Sequence, residues 1–180
     1  MTRSGARLST AMMALLALAG CATGPMSPTA APAPPAVAAA PVGLDQDFLN
    51  RAATGTNGQV QLGRLAQQRG FAPAVRSFGA HIATEHARAN ARLMELAQRL
   101  GMMANPGMPN LSDLAVLGGP DFDRQFIADQ MTNQREALAL FQGEAQLGQE
   151  PRLRRFARDW VPILQRDLQR TQAIASRTGS

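Results

Sequence analysis

The sequence predicts an all-α fold, a four-helix bundle, because hydrophobic residues recur at helical spacing in four long segments. No stretch shows a sustained alternation of apolar and polar residues, so strands are not expected. Glycine or proline lies at the segment ends, where helices commonly start or stop. The segments cover residues 45–69, 73–100, 121–147 and, from residue 150 or 151, the chain to residue 176.

The first two segments each carry one apolar stripe. Asp45 lies in the first turn of the first segment, where the helix dipole favours a negative charge, and Gly70 follows its last turn. Pro73 opens the second segment, where its missing N–H costs no hydrogen bond, and Gly101 ends it. The stripes contain Phe48, Leu49, Ala52, Leu62 and Ala66, then Val75, Phe78, Ile82, Ala89, Leu93, Leu96 and Leu100.

The last two segments repeat the pattern. The third follows residues 118–120, a Gly-Gly-Pro run, and Gly148 ends it. Pro162 lies well inside the fourth, where we expect it to free a backbone carbonyl and kink the helix. The stripes contain Phe122, Phe126, Ile127, Met131, Leu138 and Phe141, then Leu153, Phe156, Trp160, Ile163, Leu164, Leu168 and Ile174.

The connections predict the topology. Short links make the first and second helices antiparallel, and likewise the third and fourth. Residues 101–120 are a longer link, which is unusual in a compact domain but can cross the full length of a bundle. This is the ferritin-like connection, and residues 111–117 are predicted to form a short helical turn within it.

The N-terminal segment has the pattern of a lipoprotein signal. Residues 1–20 combine a basic head, a short apolar stretch and the run Leu-Ala-Gly before Cys21, the only cysteine in the chain. We expect cleavage before Cys21 and its acylation, which would anchor the protein to the outer membrane facing the periplasm. Residues 21–43 then form the anchor and a disordered Pro/Ala-rich linker, and residues 44–180 form the bundle domain.

Composition argues against nucleic-acid binding and catalysis. The formal charge is +5, but two of the 18 basic residues precede Cys21, which leaves 16 basic against 13 acidic residues. A nucleic-acid-binding protein usually shows a basic stripe and stacking aromatic residues, and neither is evident. No nucleophile–base set or acid–base pair is recognisable, so we expect no enzyme activity and no cofactor.

One polar residue lies near the middle of each apolar stripe. We expect these side chains to form a buried hydrogen-bonded layer, because an unpaired polar group is costly to bury. His86 and Asp167 are possible partners in an ion pair. Two amides, one imidazole and one carboxylate make a poor iron or zinc site. The four residues of this layer are Gln59, His86, Gln134 and Asp167.

Several short motifs in order resemble the bacterial domain-of-unknown-function family DUF4142. The resemblance covers residues 45–176 and implies a ferritin-like bundle, often labelled as an outer membrane protein, without an established activity. Family members usually carry glutamate at position 59 and histidine at positions 134 and 167, so a family metal cluster would be depleted here. The motifs are Phe48-Leu49-x-x-Ala52-Ala53, Gln61-Leu62-Gly63-Arg64-Leu65-Ala66, Glu85-His86-x-x-Ala89-Asn90-x-x-Leu93, Phe122-Asp123, Ala139-Leu140-Phe141 and Phe156-Ala157.

Three other groups are weaker candidates. His81 lies five residues before His86, so we expect it to face solvent and to form a modest surface pair with Glu85 one turn on. Three methionines in the crossover, Met102, Met103 and Met108, have the thioethers that suit Cu(I) but also suit a loose apolar contact. An arginine cluster opens the fourth helix and is either a solvated face or a contact for anionic lipid or lipopolysaccharide. It comprises Arg152, Arg154, Arg155 and Arg158.

These observations favour a lipid-anchored, non-catalytic bundle of the cell envelope that binds a partner or serves in envelope stress. The alternative is a ferritin-like protein that binds iron, zinc or copper through His86 with Asp167, or through the crossover methionines. The sequence does not distinguish oligomeric states.

Overall fold

The computed structural model describes residues 43–108 and 112–178. These residues form helices and loops, with four long helices and one short helix in the predicted order, so the all-α prediction is confirmed. Among the helices of the described residues, none is both long enough and apolar enough to span a membrane. The elements are α1 (Leu44–Arg69), α2 (Pro73–Leu100), α3 (Ser112–Ala115), α4 (Gly119–Leu147) and α5 (Pro151–Thr178).

Cys21, the signal segment and nearly all of the linker lie outside the described residues. Their predicted roles therefore stay predictions. Within the described part, α5 continues as a helix on both sides of Pro162. Gly101 adopts a left-handed conformation (φ 67°) at the end of α2, and its N–H bonds the carbonyls of Ala97 and Gln98.

The crossover between α2 and α4 lies along α1, as a full-length connection requires. Backbone groups of the loop bond two polar side chains that lie about two turns apart on α1. The Gln46 amide donates to the Met103 carbonyl at 2.7 Å, and the Thr54 hydroxyl accepts from the Gly107 N–H at 2.6 Å. Near the other end of α1, Arg69 donates to the carbonyls of residues 115 and 117. The described parts of the crossover thus contact α1 near both of its ends.

The bundle interior has two apolar clusters with a polar layer between them. The first cluster gathers the start of α1, the end of α2, the end of α4 and the start of α5, and includes Phe48, Leu93, Phe141 and Trp160. The second gathers the opposite helix ends and includes Phe78, Phe126 and Ile174. Buried glutamines, His86 and Asp167 fall between these clusters along the helices.

The contact between α1 and α2 is closest at Gly63 and Gly79. A Cβ atom on either glycine would lie 2.6 Å from the backbone carbonyl oxygen of the other. Because backbone cannot yield as a side chain can, both positions require glycine. This contact fixes the crossing point of the first helical pair, and His81 lies half a turn beyond it on α2.

We predict that Gly63→Ala and Gly79→Ala each lower the free energy of unfolding by about 1–3 kcal/mol, the usual cost of overpacking. Urea unfolding followed by circular dichroism measures the effect. Gly143→Ala is the matched control, because a Cβ at this α4 position meets no atom within 4 Å. It should leave stability unchanged or raise it by up to about 1 kcal/mol. Equal effects at all three positions would contradict the close crossing.

Candidate functional site

The polar layer contains a chain of hydrogen bonds that joins α5, α4 and α1. The Thr171 hydroxyl donates to Gln134 Oε1 at 2.9 Å, and the Gln134 amide reaches Gln130 Oε1 at 3.4 Å. Gln130 in turn donates to Gln59 Oε1 at 2.9 Å. All four residues are buried. Gln130 and Thr171 were not singled out from the sequence, although each lies one helical turn from a residue that was.

Asp167 faces His81, not His86. The His81 Nε2 lies 3.0 Å from Asp167 Oδ1 and 3.8 Å from Glu85 Oε2. The Asp167 side chain is 4% exposed, whereas those of His81 and Glu85 are 32% and 30% exposed. The expected pairing of His86 with Asp167 is therefore wrong. His81 keeps part of the expected exposure and the expected pairing with Glu85, but it also contacts Asp167, which the sequence did not indicate.

The correction has a simple physical reason. The sequence pattern treats α2 as a helix with one buried face, but α2 contacts both α1 and α5. Its α5-facing side carries His81 and Glu85, which are one turn apart. The His81 ring stacks against Phe78, with ring centroids 6.3 Å apart. His81, near the edge of the apolar stripe, therefore lies in the contact between α2 and α5.

His86 occupies a different environment, beside Trp160 with ring centroids 6.0 Å apart. It is 5% exposed, and its Nδ1 has no hydrogen-bond partner among the described residues. Burial lowers the pKa of His86 to about 4, with a further contribution from the nearby His81. The imidazole is therefore neutral at pH 7 and would be a poor cationic partner for a carboxylate.

His81, Glu85 and Asp167 together have the composition of a metal-binding site. One donor atom from each lies within 4.8 Å of the others. Bonds of about 2.0–2.2 Å to zinc place ligand atoms about 3.0–3.5 Å apart in tetrahedral or octahedral geometry, so binding would draw the three side chains closer together. Asp167 Oδ2 has no partner among the described residues, which leaves one buried carboxylate oxygen available. Burial raises the pKa of Asp167, and the hydrogen bond to His81 opposes this effect.

The remaining site residues predicted from the sequence are the crossover methionines and the arginine cluster. Met102 packs against the first apolar cluster, while Met103 and Met108 are 77% and 95% exposed. In the arginine cluster, Arg152 pairs with Glu150 and half-buried Arg154 donates to the Gly148 carbonyl. Arg155 and Arg158 are exposed.

Two acids, buried Asp123 and half-buried Asp45, tie helix ends together, and sequence reasoning did not identify these roles. Both carboxylate oxygens of Asp123 on α4 accept backbone N–H groups, from Phe71 and Ala72 before α2. Asp45 accepts those of Gln149 and Glu150 before α5 in the same way. Each acid caps a helix far away in the sequence, so no local pattern could reveal it.

Glu144 is buried beside Asp45. It is 3% exposed, and neither carboxylate oxygen has a hydrogen-bond partner among the described residues. Burial, followed by the charge of Asp45, raises the pKa of Glu144 to about 7. An acid whose pKa is raised by folding stabilises the fold below its unfolded pKa, near 4.5, and that contribution is lost as the pH rises through about 7.

We predict that Glu144→Gln raises the free energy of unfolding at pH 8 by on the order of 2 kcal/mol, because the folded state no longer ionises a buried acid. The gain should shrink steadily below pH 7 and vanish near pH 4.5. Urea unfolding at several pH values measures it. Exposed Glu136→Gln on the same helix is the control for net charge, and an equal gain there would contradict the assignment.

The fold and site define an all-α bundle protein with a buried polar centre. The model of the family described as Domain of unknown function (DUF4142) matches residues 28–174, and the chain belongs to this family. The resemblance seen in the sequence is thereby confirmed. Among curated proteins, no sequence matches the chain.

Solved structures with a similar fold include DUF305 proteins and CopM. A DUF305 protein from Streptomyces coelicolor is 14% identical with a TM-score of 0.68, covering 76% of this chain and 94% of that one. CopM in the Cu(I)-bound form is 15% identical with a TM-score of 0.65, covering 74% and 96%. A DUF305 fragment from Deinococcus radiodurans is 17% identical with a TM-score of 0.63, covering 74% and 96%. At these identities, the similarity shows the fold alone.

Proposed function

We propose that this chain is a non-catalytic, lipid-anchored protein of the cell envelope whose bundle binds a divalent first-row transition-metal ion. The ligands are His81, Glu85 and Asp167, which replace the pair His86 and Asp167 considered from the sequence. The proposal depends on one observation. A buried carboxylate, Asp167, has one oxygen without a partner and faces a histidine and a second carboxylate that are both accessible from outside.

Charge supports a cation at this position. With neutral His81, the two carboxylates carry two negative charges, so a dication would neutralise the cluster. Arg170 contributes a positive charge near Asp167, but its guanidinium lies over the Phe78 ring, 5.4 Å from the centroid. It is not among the hydrogen-bond partners of Asp167. The partial exposure of His81 and Glu85 gives the ion a route from solvent.

The donor set selects the kind of metal. Imidazole and carboxylate suit Zn²⁺, Cu²⁺, Fe²⁺ and Mn²⁺, whereas Cu(I) prefers thiolate and thioether sulfur. CopM, with a similar fold, is known in Cu(I)-bound and Ag-bound forms. That likeness supports metal binding as a use of this bundle, but the ligands here favour a harder divalent ion. Three protein ligands would leave open positions for water or a partner.

Calorimetric titration of the purified full-length chain with Zn²⁺ tests the proposal. We expect one ion per chain, with Cu²⁺ binding more tightly and Mn²⁺ more weakly. Asp167→Asn and His81→Ala should each weaken Zn²⁺ binding by about tenfold or more, because each removes one of three ligands. Asp159→Asn, an exposed carboxylate on the same helix, is the matched control and should leave affinity unchanged.

Two outcomes would overturn the metal proposal. One is the absence of stoichiometric binding by a chain whose circular dichroism shows a folded helical protein. The other is Zn²⁺ binding that survives both Asp167→Asn and His81→Ala but is lost when Met102, Met103 and Met108 are replaced together by leucine.

The envelope location depends on Cys21 and is supported by the signal pattern around it. Two or more acyl chains give stable membrane attachment. In cells fed a labelled fatty acid, the chain should incorporate label and sediment with membranes. Cys21→Ala should abolish the label and release the protein, whereas Ala22→Ser should change neither. Retained label in Cys21→Ala would show that the anchor is elsewhere.

A further inference from the structure

A cavity of about 390 Å³ lies beside the polar layer, separate from the three proposed metal ligands. Its walls come mainly from α1 and α4, with Trp160 of α5 and His86 of α2 forming part of the lining. This volume falls within the range of small-molecule sites, which are mostly apolar with a few polar groups. The cavity matches that description.

The cavity exists because one wall has little side-chain volume. On α1 it is lined by Ala52, Gly55 and Gly58, and on the facing part of α4 by Ala137. A Cβ atom built on Gly55 meets no atom within 4 Å. Small residues on neighbouring helices usually allow the backbones to approach closely, as Gly63 and Gly79 do. Beside Gly55 and Gly58, by contrast, the space between the helices is left open as the cavity.

The remaining lining has aromatic and polar parts. Trp160 and Phe141 supply rings from the first apolar cluster. His86 supplies an imidazole whose Nδ1 has no partner among the described residues. The two glutamines of the lining, Gln59 and Gln134, already bond Gln130, and Gln134 also accepts from Thr171. The buried imidazole, by contrast, still has a hydrogen bond to offer.

We propose that this cavity binds an uncharged aromatic molecule of one or two rings that carries a hydroxyl group. The rings would contact Trp160 and Phe141, and the hydroxyl would hydrogen-bond the His86 imidazole. A charged ligand is disfavoured, because the two charged residues of the lining, Arg51 and Glu136, are exposed to solvent and opposite in charge, so neither would replace the hydration lost by a buried ion. The cavity would give the protein a second ligand, independent of the metal.

Intrinsic fluorescence provides a direct test, because the chain contains one tryptophan and no tyrosine. The full-length chain is titrated with 4-methylphenol, and separately with toluene, in buffer containing EDTA. We expect a saturable change in Trp160 emission with both probes. The phenol should bind about 3- to 10-fold more tightly, the value of one neutral hydrogen bond. EDTA makes the result independent of the metal proposal.

Three variants locate the binding. His86→Leu should remove the preference for 4-methylphenol while toluene still binds. Gly55→Leu should obstruct the cavity from its solvent-exposed side and weaken both probes by about tenfold or more. Gly143→Leu adds the same side chain to an open position on α4 outside the cavity and should leave both affinities unchanged.

The proposal is overturned if neither probe produces a saturable change at millimolar concentration. It is also overturned if Gly55→Leu and Gly143→Leu bind the probes equally well. If His86→Leu does not fold, the paired glycine variants still decide whether the cavity is the binding site. A preference for benzoate over 4-methylphenol would contradict the uncharged ligand.

Discussion

The arrangement at the middle of the bundle depends on compensating for the buried carboxylate of Asp167. Removing a carboxylate from water costs several kcal/mol unless hydrogen bonds or a counter-charge compensate for it. His81 supplies one bond from α2, at 3.0 Å. The second oxygen remains without a partner among the described residues. One oxygen of the carboxylate is therefore hydrogen-bonded within the protein. A bound cation would compensate for the lost hydration of the other oxygen.

The polar layer also determines how the helices are matched along their lengths. Thr171, Gln134, Gln130 and Gln59 bond in sequence across three helices, so a one-turn shift of any helix would leave a buried amide unpaired. The position of α2 along α1 is fixed by the close backbone contact at Gly63 and Gly79. The proposed metal ligands and the cavity both lie near this layer, where side chains are constrained by bonds as well as by packing.

Local patterns predicted much of this structure, and long-range contacts account for what was missed. Helix positions follow from apolar spacing and terminal glycines, which are local signals, and the 20-residue link required a crossover. The contact of His81 with Asp167 was missed because it depends on α2 having two neighbouring helices. Asp123 and Asp45 cap helices distant in sequence, and the partners of a cap are set by tertiary packing. The burial of Gln59 and Gln134 could be predicted from the sequence because each interrupts an apolar stripe.

The location of a bound ion tests the metal site most directly. Crystals of the full-length chain grown with equimolar Zn²⁺ can be measured at the zinc absorption edge for anomalous scattering. The site described here predicts one peak at about 2.0–2.2 Å from His81 Nε2 and from oxygens of Asp167 and Glu85. A peak at the crossover methionines or at His86, or a map without any peak while Zn²⁺ is bound in solution, would contradict it.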